Sequence, residues 1–66
     1  MKIIFNDSML ELSQPIFLND FIINQLGHAN GIALAINQKI VPNYKWEKYK
    51  LQDGDDIIVF QAIAGG

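Results

Sequence analysis

No cysteine occurs anywhere in the 66 residues. That absence removes disulfide staples, thiolate metal ligands, and any thiol that could act as a nucleophile or store sulfur. No apolar run approaches the ~20 residues of a membrane span, and Met1-Lys2-Ile3-Ile4-Phe5 lacks the layout of a secretory signal. A cytoplasmic chain with no membrane partner is expected. The formal net charge of −2 leaves no excess of cations to neutralise phosphates, the term that supplies most non-specific nucleic-acid affinity. A protein partner is expected in place of nucleic acid. Nothing forms a phosphate loop, a nucleophile triad or a zinc box. His28 has no nucleophile or acidic orienter beside it, and its place near a helix end suits a structural role against the dipole. Asp53-Gly54-Asp55-Asp56 is too short for an EF-hand, whose ligands spread over about twelve residues; a turn built on Gly54 is expected. The chain is therefore expected to hold no catalytic residue, bound cofactor or metal.

What is present is a folding pattern. Half of the residues are hydrophobic (50%), enough for a single domain over residues 1–66. A domain this small buries only about 60% of its unfolded surface, so its core must pack efficiently. Lys2 to Asn6 alternates with Ile3 and Phe5 on one face, and Met9 to Leu12 repeats the alternation with Leu10 and Leu12 inward. With turn chemistry at Asn6-Asp7-Ser8 between them, these residues predict a β-hairpin. Leu18, Phe21, Ile22 and Leu26 recur at the spacing of one helical stripe. Gly27 is placed to close that helix in the left-handed conformation. Phe17 stands where a Ser or Thr cap is usual, leaving Asn19 or Asp20 to satisfy the first amides.

Ile32-Ala33-Leu34-Ala35-Ile36 alternates bulky with small, Asn37-Gln38 turns the chain, and Lys39-Ile40-Val41 returns until Pro42 stops it. Asn43 to Leu51 interleaves Tyr44, Trp46 and Tyr49 with Lys45, Lys48 and Lys50, as a single-strand stacking platform does. Glu47 and the acidic balance of the chain argue instead for Trp46 as a lid on the core. Ile57 to Phe60 is apolar throughout, the pattern of a central strand covered on both sides, where one cover could be a partner. Ile3, Phe5, Leu10, Leu12, Phe21, Leu26, Leu34, Ile36, Ile57 and Val59 are the expected core. Counting back from Gly66 as in ubiquitin-like chains puts Ile57 and Val59 inward, which turns Ile58 and Phe60 outward with Ile4 joining them from the neighbouring strand, an exposed apolar partner surface. Hairpin, helix, hairpin, connector and last strand make an α+β, β-grasp (ubiquitin-like) order. The expected sheet is mixed, of about four to five strands, with one helix packed on one face.

The last strand runs into Ala62-Ile63-Ala64-Gly65-Gly66. Glycine has no Cβ and takes conformations closed to other residues, so Ala64 and Gly65 can thread a narrow channel and present the Gly66 carboxylate to a nucleotide held by another protein. Residues of about 62–66 are expected to form a flexible tail reaching up to about 17 Å. A carboxylate is a poor electrophile and needs a leaving group that a nucleophile can displace. Such an end is a substrate, not a catalyst.

Several stretches together carry a family resemblance: Phe5-Asn6, Ala33 to Asn37 with Ile40-Val41-Pro42, Trp46, Gln52-Asp53-Gly54-Asp55 and Phe60 to Gly66. On these residues the chain resembles the ThiS sulfur carriers of thiamin biosynthesis. The resemblance implies that Gly66 is adenylated by a ThiF-like enzyme, which uses ATP with Mg. It implies conversion to a thiocarboxylate with sulfur from a donor protein, and delivery to a ThiG-like thiazole synthase. Two alternatives share the fold: a carrier like the small subunit of molybdopterin synthase, and a ubiquitin-like interaction module with a chemically silent terminus.

Overall fold

Lys2–Phe5 (β1) and Ser8–Glu11 (β2) form the first hairpin because their apolar side chains alternate onto one face of a pleated ribbon. The structure, a computed structural model, describes residues 1–61. The link Asn6-Asp7 holds both residues at positive φ, 47° and 67°, the hairpin geometry whose twist matches the strands it joins. A helix, α1, spans Leu18–Leu26. A second hairpin follows, Ile32–Ile36 (β3) and Lys39–Ile40 (β4), turned by Asn37 and Gln38 at φ of 52° and 71°. The connector contains a 3-10 turn over Asn43–Lys45 and leads to Asp56–Gln61 (β5).

The five strands lie in the order β2-β1-β5-β3-β4. β5 pairs parallel to β1 and antiparallel to β3, so the last strand enters the centre of the sheet. This topology, with one helix on one face, is the β-grasp.

The core follows from the two periodicities. Ile3, Leu34, Ile36 and Ile57 from the sheet meet Leu18, Phe21 and Ile22 from α1, all of them buried. Phe5 and Phe21 meet edge to face, with ring centroids 5.3 Å apart, a preferred arrangement of aromatic quadrupoles. Trp46 closes this cluster: its indole is buried, and Nε1 donates to the Val41 carbonyl at 2.8 Å. Leu51 is also buried in the cluster; no periodic segment contains it, and periodicity is what marks a core residue in a sequence.

Two expectations are corrected. Leu26 is 37% exposed although it belongs to the helical stripe, because the final turn of α1 borders a cleft with His28, Ile32 and Val59. The first amides of α1 are not served by Asn19 or Asp20, and Phe17 makes no side-chain cap. The Leu18 amide donates to the Tyr49 carbonyl at 2.7 Å and the Asn19 amide to the Trp46 carbonyl at 3.1 Å, so the connector caps the helix. β5 is covered by this chain on one side, and Ile58 and Phe60 are exposed on the other, as expected. Gly27 does close α1, at φ 82°, its amide donating to the Ile23 carbonyl.

Candidate functional site

Residues directly opposite one another in a ladder share a face, so the register defines the sheet surface that α1 leaves open. Ile4 lies opposite Met9 on β2 and opposite Asp56 on β5. Two and four residues beyond Asp56, Ile58 lies opposite Ala35 and Phe60 opposite Ala33. Ala35 in turn lies opposite Ile40 on β4. One largely apolar surface, interrupted by Asp56, therefore crosses all five strands.

Ile58 and Phe60 are exposed there and Ile4 is half-buried, the three residues singled out as a partner surface. Met9, 68% exposed, and Ile40, 66% exposed, extend it to both edges. Sequence reasoning missed these two because their joining to the Ile58 and Phe60 patch is set by the cross-strand register, which alternation within one strand does not give. The small side chains of Ala33 and Ala35 leave room beside Phe60, which is 49% exposed and aromatic, the kind of side chain that dominates interface hot spots.

Polar groups hold β5 in place around this surface. The Asn6 side-chain oxygen accepts from the Val59 amide at 2.9 Å, continuing the support of β5 past the end of β1. Asn37 joins the opposite side: its amide donates to the Asp56 carbonyl at 2.9 Å, and its side-chain oxygen accepts from the Asp56 amide at 3.1 Å. Before β5, the Asp53 carboxylate accepts from the Lys2 amide at 2.6 Å, and the Gly54 amide donates to the Lys2 carbonyl at 2.7 Å. Gly54 has φ 86°, so the expected turn depends on a conformation that glycine tolerates.

Asp55 is the one buried charged residue among those described. Its carboxylate accepts from the Gln52 amide at 2.8 Å and from the Asn37 side-chain amide at 3.1 Å. The Tyr49 hydroxyl lies 3.5 Å away. Burial, then the charge of Asp55 and its acceptor oxygen, push the Tyr49 hydroxyl above its ordinary value. Asp55 is thus a structural hub that the acidic run disguised as a solvated turn.

Ala64, Gly65 and Gly66 lie outside the described residues, as does the expected tail 62–66. Among the described residues, no three His, Asp or Glu side chains come together as a metal site, and no helix is long and apolar enough to cross a membrane. Around Ile58 and Phe60 the open face is mainly apolar. What it can do chemically is bind an apolar surface.

A model of the ThiS family matches residues 3–66. The chain is 41% identical over 66 residues to the sulfur carrier protein ThiS of Escherichia coli (strain K12), a match covering 100% of each. In fold it is similar to a crystal structure of a thiamine biosynthesis protein (ThiS) from Geobacter metallireducens, with a TM-score of 0.85, 13% identity and 100% of each chain covered. An NMR solution structure of a thiamine biosynthesis protein from the same organism gives a TM-score of 0.73 at 16% identity, covering 100% of this chain and 88% of that one. At such identities the structural likeness bears on the fold alone.

Proposed function

Because this chain belongs to the ThiS family, we propose that it is a sulfur carrier of thiamin biosynthesis whose reactive group is the Gly66 carboxylate. The observation that carries this reading is the match to the Escherichia coli sulfur carrier, which covers the whole of both chains and so includes Gly66. The chain acts as a co-substrate of other enzymes. A ThiF-like partner supplies ATP and Mg; a carboxylate oxygen of Gly66 attacks the α-phosphorus, pyrophosphate leaves, and an acyl adenylate forms. A sulfide equivalent from a donor protein then attacks the acyl carbon. The carbon–oxygen bond to AMP breaks, a carbon–sulfur bond forms, and the product is a thiocarboxylate. A ThiG-like synthase takes up that sulfur for the thiazole ring.

The open sheet face supports the division of labour. Ile4, Ile58 and Phe60 dock the globular part on the adenylating enzyme, while Ala64 and Gly65 pass through a channel too narrow for larger side chains. The partner, not this chain, carries the nucleotide site.

Intact-mass spectrometry tests the reading. With ATP, Mg, the adenylating enzyme and sulfide, the chain should gain AMP and then finish with one oxygen of its terminal carboxyl replaced by sulfur. A chain lengthened by one residue after Gly66 should fold and gain neither. If the lengthened chain still acquired the sulfur, Gly66 would not be the reactive group.

A further inference from the structure

The segment after β3 holds a second surface, which the carrier chemistry does not use. Four of the five lysines, Lys39, Lys45, Lys48 and Lys50, fall within residues 39–50, where Glu47 is the one acid. Four cations less one anion give this segment a formal charge of +3, against −5 for the rest of the chain, from Lys2 and six carboxylates. The molecule is electrostatically divided.

Two clefts meet at the positive end. One, of about 390 Å³, is bounded by Lys39, Ile40, Val41, Pro42, Lys45 and Tyr49. The other, of about 440 Å³, lies among Tyr44, Lys45, Lys48 and Tyr49. Lys45 and Tyr49 belong to both, so the clefts form one groove, and neither lining contains a carboxylate. The Lys45 ammonium stands 6.0 Å from the centre of the Tyr44 ring, within range of cation–π attraction, which places its charge beside an exposed aromatic face. Lys39 lies opposite Ile36 in the ladder, on the helix-bearing side of the sheet. The groove shares Ile40 with the face that carries Ile58 and Phe60, but its lysines lie apart from that face, Lys39 on the opposite side of the sheet and Lys45 and Lys48 in the connector.

We propose that this groove docks an acidic segment of a partner protein, with carboxylates meeting Lys39, Lys45 and Lys48 and an aliphatic side chain lying against Ile40, Val41 and Pro42. Charge complementarity selects the occupant. An anionic ligand is attracted to this end and repelled by the remainder of the chain, which orients the encounter as well as strengthening it. The apolar floor adds a requirement that bare charge does not. Single-stranded nucleic acid fits less well, because binding it draws on successive exposed aromatic faces. Of the three aromatics here Trp46 is buried, Tyr49 is half-buried and Tyr44 alone is open.

The test titrates the isotope-labelled full chain, followed by its amide NMR spectrum, with a short synthetic peptide of Asp and Glu around one central Leu. Shifts should be confined to residues 39–49 and reverse with added salt. The doubly reversed variant Lys45→Glu/Lys48→Glu, both residues exposed, should keep the wild-type spectral dispersion and bind about tenfold more weakly, as expected when close charge pairs across an interface are inverted. Should that variant lose its dispersion, Lys39→Glu at the sheet edge asks the same question, with weakened binding again expected. Unchanged affinity in the folded variant overturns the proposal. So does equal binding of a peptide with Ser in place of Leu, a shift pattern centred on Ile58 and Phe60, or tighter binding of a single-stranded RNA of similar length. None of these outcomes depends on Gly66 chemistry, so the groove and the carrier reading stand or fall separately.

Discussion

Asp55 is a carboxylate that the fold has removed from water and surrounded with donors. Removing it would leave the Gln52 amide and the Asn37 side chain without their acceptor, and a buried donor left unpaired costs about 1–3 kcal/mol. Asp55→Ala should therefore lower unfolding stability by that amount in urea denaturation. A loss no larger than that of an exposed-site control such as Glu11→Ala would show that the hub is not structural. The same cluster predicts a pH dependence. The Tyr49 hydroxyl is held above its ordinary value, so the folded state keeps a proton that the unfolded state releases. Stability from this group is fully present below the unfolded value of about 10 and is lost as pH climbs through the raised folded value. Thermal melts across that alkaline range should decline less steeply for Tyr49→Phe than for wild type. Parallel decline would assign the loss to other groups.

At the scale of the element, the two hairpins share one device. Asn6-Asp7 and Asn37-Gln38 all sit at positive φ, and of these Gln38 is the least suited, since a long side chain in the left-handed region costs roughly 1–2 kcal/mol. Glycine removes that strain at an entropic cost of about 0.5–1 kcal/mol. Gln38→Gly is therefore expected to raise stability by about 0.5 to 1 kcal/mol, read as a higher denaturation midpoint with an unchanged slope. A lowered midpoint would mean that Gln38 makes a contact worth more than its strain. The helix shows the opposite dependence. α1 is nine residues long, short enough to be marginal alone, and its first amides are satisfied by carbonyls of Trp46 and Tyr49. Its N-terminus is consequently as stable as the connector that caps it.

At the scale of the molecule, the sheet has one closed and one open face. α1, Trp46 and Leu51 seal the first; the second presents Met9, Ile40, Ile58 and Phe60 to solvent. Contiguous exposed apolar residues are the usual mark of interaction sites, and the docking proposed for Ile4, Ile58 and Phe60 draws on this face. Because Phe60 is half out of the core, Phe60→Asp should leave the fold intact by circular dichroism. It should weaken binding to the adenylating enzyme by about 2 kcal/mol or more, the range of an interface hot spot, as measured by calorimetry. Wild-type affinity in that variant would move the anchor to another part of the face.

What the sequence by itself determined is local and periodic. The alternation in Lys2 to Phe5 assigned faces and Gly27 marked the end of α1, whereas Ile57 to Phe60 is apolar throughout and Ile58 and Phe60 were turned outward by their count from Gly66 in the ubiquitin-like pattern. Side-chain direction in a strand repeats every two residues whatever the partner. The tertiary structure decided what is covered and who supplies each hydrogen bond. Leu26 keeps its place in the helical stripe yet reaches the rim of a cleft; Leu51 is buried with no periodic segment to announce it; Met9 and Ile40 join one surface through register. Asp55 becomes a buried hub only when Asn37, 18 residues away, and Tyr49 close around it. The Asp53 carboxylate meets the Lys2 amide across 51 positions. These outcomes depend on where one element ends relative to another and on donors far apart in the chain, quantities that a window of neighbouring residues does not contain.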